Sequence, residues 1–206
     1  MLDKILIFGD SIAYGKWDKK GGWVARLRRY IDIKYNLSGK NNLQVYNLGI
    51  PGEVAPRLAE RFKFELEKRV IDPSDKVLVI IAVGVNDSNP NNWLSKKQTP
   101  ENTFKKSLTE MIDIAKDHKY EVFLIGLLPA DEEKTNGYFN NEFIKKYDSF
   151  IKDVSEISRV SHLSLFQDFN NENYLSTLVD GIHPNSEGHK MLSEKIITFL
   201  SENFKI

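Results

Sequence analysis

Short apolar runs alternate along this chain with segments of helical periodicity. Five runs predict strands, at residues 4–8, 43–47, 77–83, 121–126 and 160–166. The run at 77–83 holds seven consecutive apolar residues, five of them valine or isoleucine, which is typical of a parallel strand buried on both faces. Polar residues interrupt the run at 160–166, so that strand is predicted mainly from its place in the alternation.

Apolar residues three or four apart predict a helix after each strand. The predicted buried stripes are Trp23, Leu27, Tyr30 and Ile31; Leu58, Phe62, Leu66 and Val70; Phe104, Leu108, Met111 and Ile112; Phe143, Tyr147, Phe150, Ile151, Val154 and Ile157; and Leu192, Ile196, Phe199 and Leu200. Thr99 followed by Pro100 predicts the start of the third helix, with Thr99 as its cap and Pro100 in its first turn.

This alternation predicts a parallel sheet, because each right-handed crossover returns the chain to the same edge. The chain contains no repeat, low-complexity stretch or linker. We therefore expect residues 1–206 to form a single doubly wound α/β/α domain of three layers, with a five-stranded parallel sheet in the middle. Ligands of such sheets bind beyond the carboxyl ends of the strands.

Composition narrows the function classes. Hydrophobic residues make up 41% and charged residues 28% of the 206, as in an ordinary soluble domain. Lys+Arg and Asp+Glu are both 29, which argues against nucleic acid or an anionic membrane as partner. The short basic clusters at 16–20 and 96–97 are interpreted as solvated loops.

The sequence also argues against cysteine-based sites, a membrane span, secretion, and a bound cofactor or metal. The chain has no cysteine, so it has no disulfide, thiolate metal site or cysteine nucleophile. It shows no run of about 20 apolar residues that would span a bilayer, and its start lacks the features of a signal peptide, so a cytoplasmic location is expected. No phosphate-binding glycine motif and no His/carboxylate cluster suggests a cofactor or a metal.

Candidate chemistry gathers at the predicted strand ends. Ser11 follows the first strand, and Asp180 and His183 lie three residues apart in a loop before the last helix. A serine hydroxyl needs a base to become a nucleophile, and histidine is suited to that role because its pKa is near working pH. A carboxylate on the other ring nitrogen would hold the histidine in the required tautomer. The three residues together predict a serine hydrolase.

Acyl transfer also needs hydrogen-bond donors aimed at the developing oxyanion. Gly52 and Asn86 follow the second and third strands at the same edge of the sheet. A glycine lets the backbone N–H approach a ligand closely, and an asparagine carries an NH₂ donor. With the N–H of Ser11, they form a candidate oxyanion hole.

Each segment alone also has a structural explanation. The sequence Gly-Asp-Ser can be a turn in which Asp10 or Ser11 caps the next helix. His183 can simply lead into the last helix, which Asn185 or Ser186 would cap. Gly52 can serve a tight turn, and Asn86 can satisfy loop backbone.

The order of four blocks favours the catalytic interpretation. They are Gly9-Asp10-Ser11, residues 47–52, Gly84-Val85-Asn86-Asp87 and residues 180–184. Together they resemble the SGNH hydrolase superfamily, the GDSL-type esterases and lipases, from residue 4 to about residue 200. The α/β-hydrolase alternative is disfavoured, because Ala13 stands where its G-x-S-x-G elbow needs the second glycine.

This resemblance implies a flavodoxin-like fold and a role for each site residue. Ser11 matches the nucleophile, His183 the base and Asp180 its orienting partner, and the Ser11 amide, Gly52 and Asn86 match the oxyanion donors. Ile12 replaces the leucine of the family's name motif, a neutral apolar change. Pro51 stands where a small polar residue is common, which would stiffen the oxyanion loop.

The resemblance implies a carboxylic ester hydrolase that works through an acyl-enzyme on a small-molecule substrate. Small soluble or short-acyl esters are favoured, including acetylated carbohydrate, with lysophospholipase or thioesterase activity and a non-catalytic binding module as alternatives. The expected pocket walls are loops 14–22, 87–98 and 130–141. Their aromatic residues are interpreted as local anchors, with stacking on a sugar ring as the alternative: Tyr14, Trp17, Trp93, Tyr138 and Phe139.

Overall fold

The fold is that of a computed structural model, which describes residues 2–37, 39, 41–92, 96–204 and 206. Five strands form one parallel sheet in the order β2-β1-β3-β4-β5. The strands are β1 (Lys4–Gly9), β2 (Gln44–Gly49), β3 (Val77–Ala82), β4 (Glu121–Ile125) and β5 (Ser161–Leu163). This is the flavodoxin-like order, and the predicted α/β fold class is confirmed.

Helices cover both faces of the sheet. They are α1 (Ser11–Tyr14), α2 (Gly22–Ile31), α3 (Ala55–Arg69), α4 (Glu101–Asp117), α5 (Asn141–Ser158), α6 (Phe166–Phe169), α7 (Glu172–Leu175) and α8 (Ser186–Asn203), and a π-helical segment, Asp32–Asn36, continues α2.

Alternate residues of each strand point to opposite faces of the sheet, where they pack into two separate hydrophobic cores. On one face Phe8 packs among buried residues of α3, α4 and α5, such as Phe62 and Phe104. On the other face Ile7 packs with residues of α2 and α8, such as Trp23. Because β1 and β3 are central strands, both of their faces are buried, as their continuous apolar runs predict.

The strand register places the candidate chemistry at one edge. Gly9 at the end of β1 pairs with Gly49 of β2 on one side and with Ala82 of β3 on the other. The three strands therefore end level, and the segments that follow them emerge side by side.

Four local predictions differ from the structure. The fifth strand ends at Leu163, where its pairing with β4 stops, and α6 begins within the run predicted as strand. Helix α4 begins at Glu101 with Pro100 as its N-cap, so the predicted Thr99 cap is wrong. Thr99 precedes that cap, and its backbone N–H donates to the Asp87 carbonyl at 3.0 Å. In α5, Phe143 and Ile157 are exposed rather than part of the buried stripe.

Candidate active site

Ser11 stands at the junction between β1 and α1. Asp10 is the N-cap of α1, and its carboxylate accepts the Ile12 N–H at 2.9 Å. This cap fixes the turn that carries Ser11, the first residue of the helix. The helix cap that the sequence suggested for Asp10 is therefore observed. The same cap holds Ser11 at the carboxyl-terminal edge of the sheet.

Asp180 and His183 form a closed turn in the loop before α8. The Asp180 Oδ1 atom accepts the backbone N–H of His183 at 2.9 Å, so the carboxylate folds back over its own loop. Backbone hydrogen bonds join this turn to residues 177–179, which precede it. The Val179 N–H donates to the His183 carbonyl, and the Asn185 N–H donates to the Thr177 carbonyl. The turn is thereby held from both sides.

Hydrogen bonds connect this turn to the serine, 172 residues away in sequence. The Ser11 Oγ atom lies 2.8 Å from His183 Nε2. On the other side of the ring, His183 Nδ1 lies 2.8 Å from Asp180 Oδ2 and 3.0 Å from Oδ1. The structure therefore brings the predicted Ser, His and Asp into one continuous chain of contacts.

Burial and neighbouring charges set the pKa values of this pair. Burial lowers the pKa of His183, and the nearby Lys16 cation lowers it further, while Asp180 acts in the opposite direction. Burial alone would raise the pKa of Asp180, but hydrogen bonds from Trp17 and His183 outweigh it and bring the pKa to about 2. Asp180 is therefore ionised and His183 neutral at pH 7, as a base and its orienting partner must be.

Gly52 lies in the loop after β2 and faces the same space. Its backbone is left-handed at φ 80°, a conformation that glycine adopts without strain. Its N–H group has no acceptor among the described residues. The loop is held in place by Glu53, whose N–H donates to Ile50 and whose carboxylate accepts Arg61 Nε at 2.8 Å.

Asn86 follows β3 and is held by two neighbours. Its side-chain Nδ2 donates to the Glu53 carbonyl at 3.1 Å, and its own carbonyl accepts the side-chain amide of Asn92 at 2.8 Å. A primary amide has two N–H groups, so one remains for a ligand.

A cleft of about 290 Å³ joins these residues. Ser11, Gly52, Asn86 and His183 line it, while Asp180 lies behind the imidazole. The rest of its lining consists of Lys16, Pro51, Asn89, Asn92, Tyr138 and Phe139. All three loops expected to form the walls contribute to it.

Two buried carboxylates lie behind the cleft. Asp10 and Asp87 are 3% and 0% exposed, and burial raises the pKa of each to about 7. Asp87 accepts the Ala55 N–H at the start of α3 at 3.1 Å. These acids brace the segments that carry Ser11 and Asn86.

Sequence reasoning missed three of these features. Lys16, assigned to a solvated loop, lines the cleft, and Trp17 donates its indole N–H to Asp180 Oδ2 at 2.8 Å. The third is Asp87, which follows Asn86 directly. Its position in the loop after a fully apolar strand was the available signal that its carboxylate is buried. Tyr14 is exposed and lies outside the cleft lining, whereas Trp93 lies outside the described residues.

In the described part of the chain, no group of three or more histidine or acidic side chains is placed to hold a metal ion. Within the same residues, no helix has both the length and the apolar character required to cross a membrane.

Solved structures similar to this chain include the lipase/acylhydrolase from Enterococcus faecalis, at 24% identity and a TM-score of 0.75, covering 98% of this chain and 96% of that one. The acetyl xylan esterase AlAXEase matches at 20% identity and a TM-score of 0.77, covering 96% and 99%. The acetylxylan esterase Axe2 from Geobacillus stearothermophilus matches at 20% identity and a TM-score of 0.73, covering 95% and 93%. At these identities the similarity shows a shared fold.

The chain's similarity to known proteins extends beyond the fold. No curated protein sequence matches the chain. The model of the GDSL-like lipase/acylhydrolase family, however, matches residues 7–191, which include both the Ser11 segment and the Asp180–His183 turn. The chain therefore belongs to the GDSL-like lipase/acylhydrolase family and is a carboxylic ester hydrolase.

Proposed function

We propose that this chain hydrolyses short-acyl esters through an acyl-enzyme on Ser11. The observation that carries the proposal is the unbroken series of contacts from Asp180 through His183 to Ser11, which ends in an open cleft. Each contact has the length of an ordinary hydrogen bond, so the base is in reach of the proton that it must accept.

In the first step Ser11 Oγ attacks the ester carbonyl while His183 Nε2 takes its proton. His183 then gives that proton to the leaving alcohol, and the acyl group stays on Ser11. Water attacks the acyl-enzyme in the same manner and releases the acid. Throughout, Asp180 accepts the hydrogen bond of Nδ1–H and stabilises the imidazolium that forms twice in each cycle.

The negative charge on the carbonyl oxygen is stabilised by three donors. They are the backbone N–H groups of Ser11 and Gly52 and the free N–H of the Asn86 side chain. Because all three are fixed by surrounding hydrogen bonds, they need little reorganisation as the charge develops. Removing one such donor typically costs about 10²–10³ in kcat.

The cleft favours a small acyl group on a polar alcohol. Its volume of about 290 Å³ is at the lower end of the range for ligand sites. Among the described residues, three asparagine side chains and Lys16 line it together with the aromatic rings of Tyr138 and Phe139. The acetyl xylan esterases that share this fold support acetylated carbohydrate as the substrate class.

The experiment is to measure hydrolysis of p-nitrophenyl esters from acetate to long acyl chains. We expect activity to fall with chain length and Ser11→Ala to lower kcat by several orders of magnitude without unfolding the protein. Ser149→Ala is the matched control, since the Ser149 hydroxyl bonds the Lys146 carbonyl on the exposed surface of α5. Acetate release from acetylated xylo-oligosaccharides would then test the alcohol portion.

Two outcomes would contradict the proposal. Full turnover by Ser11→Ala would remove Ser11 from the chemistry, and activity that rises with chain length would point to lysophospholipids or thioesters. Labelling by a fluorophosphonate probe adds an independent check, because only an activated serine reacts with it. If the folded protein is not labelled at Ser11, the binding-module alternative is favoured.

A further inference from the structure

A fourth side chain touches the Ser-His-Asp series from outside. The Trp17 Nε1–H donates to Asp180 Oδ2 at 2.8 Å, and this is the same oxygen that lies 2.8 Å from His183 Nδ1. The other oxygen, Oδ1, accepts the backbone N–H of His183. Trp17 therefore supplies the one side-chain bond from another segment to this carboxylate among the described residues, 163 positions away in sequence.

Asp180 needs such a partner because it is not enclosed. Its side chain is 37% exposed, whereas that of His183 is 11% exposed. An exposed carboxylate can rotate and exchange its contacts for water, and a rotated carboxylate no longer accepts the bond from Nδ1–H. A donor fixed on a second segment limits this rotation.

The segment that carries Trp17 is built to hold one conformation. Trp17 has a left-handed backbone at φ 66°, which a residue with a side chain adopts only where its surroundings impose it. Gly15 and Gly22 pack so closely that a Cβ atom on Gly22 would lie 2.4 Å from the Gly15 Cα. Between them, the buried Asp18 carboxylate accepts the Gly22 N–H and pairs with Arg26.

Arg26, the partner of Asp18, also bonds the segment that follows His183. The Arg26 guanidinium donates to both the carbonyl and the hydroxyl of Ser186 at 2.9 Å, three residues beyond His183. The Trp17 segment and the Asp180–His183 turn are therefore fastened to one another by two independent sets of bonds.

Burial does not explain the position of Trp17. The residue is 56% exposed, in contrast to Trp23, which is 1% exposed in the core. Trp17 is also absent from the cleft lining, so the interpretation as a sugar-stacking platform has no geometric support. Its defined polar contact is the bond to Asp180.

We propose that Trp17 is a positioning residue of the reaction, which holds the Asp180 carboxylate in the orientation that His183 requires. This inference rests on the proposed function, because it acts through the Asp180–His183 pair. Trp17 does not line the cleft and contacts Asp180 rather than Ser11 or His183 Nε2, so its effect is expected in kcat rather than in substrate binding.

The first test is Trp17→Phe, which keeps the aromatic ring and removes the donor. We expect kcat on p-nitrophenyl acetate to fall about 10-fold, within the range of losses from misplacement of a catalytic group, with KM changed less than about 2-fold. Tyr46→Phe is the matched control, because it also removes one aromatic donor, to Gln44, away from the cleft. Thermal melting should show both variants folded.

A double-mutant cycle separates this inference from the proposed function. Trp17→Phe should have no further effect on kcat in an Asp180→Ala background. An unchanged kcat in Trp17→Phe, or a loss that persists in that background or appears mainly in KM, would overturn the inference while leaving the triad intact. An Asp180→Ala variant with full activity would instead overturn the proposed function, and the role of Trp17 with it.

Discussion

At the scale of single residues, the proposed role of His183 as the base makes the pH dependence of activity a test of what surrounds its side chain. Burial and the Lys16 cation lower its pKa, and the Asp180 carboxylate acts against them. Lys16 lines the same cleft and holds its ammonium 5.0 Å from the centre of the Trp17 ring, so its charge stays near the imidazole. A base with a lowered pKa remains neutral, and hence able to accept a proton, in mildly acidic solution.

Lys16→Met tests this electrostatic effect. In the proposed mechanism His183 must be neutral to accept the proton, so we expect kcat/KM to fall as pH drops through its pKa, with a midpoint below the ordinary value of about 6.5. Removing the cation raises the pKa of His183, so the acid limb should move to higher pH by a fraction of a unit. The measurement is kcat/KM on p-nitrophenyl acetate from pH 4 to 9.

The control for this change is Lys19→Met, on the same segment but exposed and outside the cleft lining. It should leave the acid limb in place. If Lys16→Met and Lys19→Met give the same profile as the parent chain, the Lys16 charge does not act on His183.

At the scale of elements, the sequence predicted those strands, helices and motifs that a short stretch of residues determines by itself. The apolar run at 77–83 indicated a buried strand because both of its faces meet a core, and the structure has β3 at Val77–Ala82. The Thr99 cap was wrong because the helix begins at Glu101 with Pro100 at its N-cap, while the Thr99 N–H donates to the Asp87 carbonyl at 3.0 Å. Ser11 and the Asp180–His183 turn stood out as local motifs at element ends. The bond from Trp17 to Asp180 joins two loops, and no local pattern encodes it.

Helix α8 illustrates a local signal with a measurable energy. Asn185 is its N-cap, and its side chain accepts the N–H groups of Glu187 and Gly188 at 2.9 and 3.2 Å. Asn185→Ala should lower the free energy of unfolding by about 1 kcal/mol, which lowers Tm by roughly 2–4 °C in a chain of this size. Asn203→Ala at the exposed end of the same helix is the control. A Tm of Asn185→Ala equal to that of the parent chain would show that the cap contributes nothing.

At the scale of the whole molecule, the chain places charge where a core usually excludes it. Its formal net charge is zero, yet Asp10, Asp87 and Glu53 are all nearly fully buried beside the cleft. Burial raises the pKa of Asp10 and of Asp87 to about 7, because the charged form loses its hydration. Burial also lowers the pKa of His189, to about 4. Burying the ionised forms of Asp10 and Asp87 beside the cleft therefore lowers global stability.

Asp87→Asn should expose that cost in the dependence of stability on pH. A carboxyl whose pKa is raised on folding binds protons more tightly in the folded state, so its contribution to stability falls as pH rises from about 4 to about 7 and then levels off. His189 changes stability in the opposite sense over part of this window, which is why the difference between variant and parent is the quantity to measure.

Asparagine preserves an acceptor for the Ala55 N–H and carries no charge, so the difference in Tm, variant minus parent, should grow from pH 4 to pH 7 and reach a few degrees at pH 8. The exposed Asp113→Asn is the control for the loss of a carboxylate at the surface. An Asp87→Asn difference that is constant from pH 4 to 8 would mean that the bonds to the ionised Asp87 fully offset its burial. A variant that becomes progressively less stable than its parent as pH rises would mean that these bonds, such as that from the Ala55 N–H, stabilise the ionised form more than burial destabilises it.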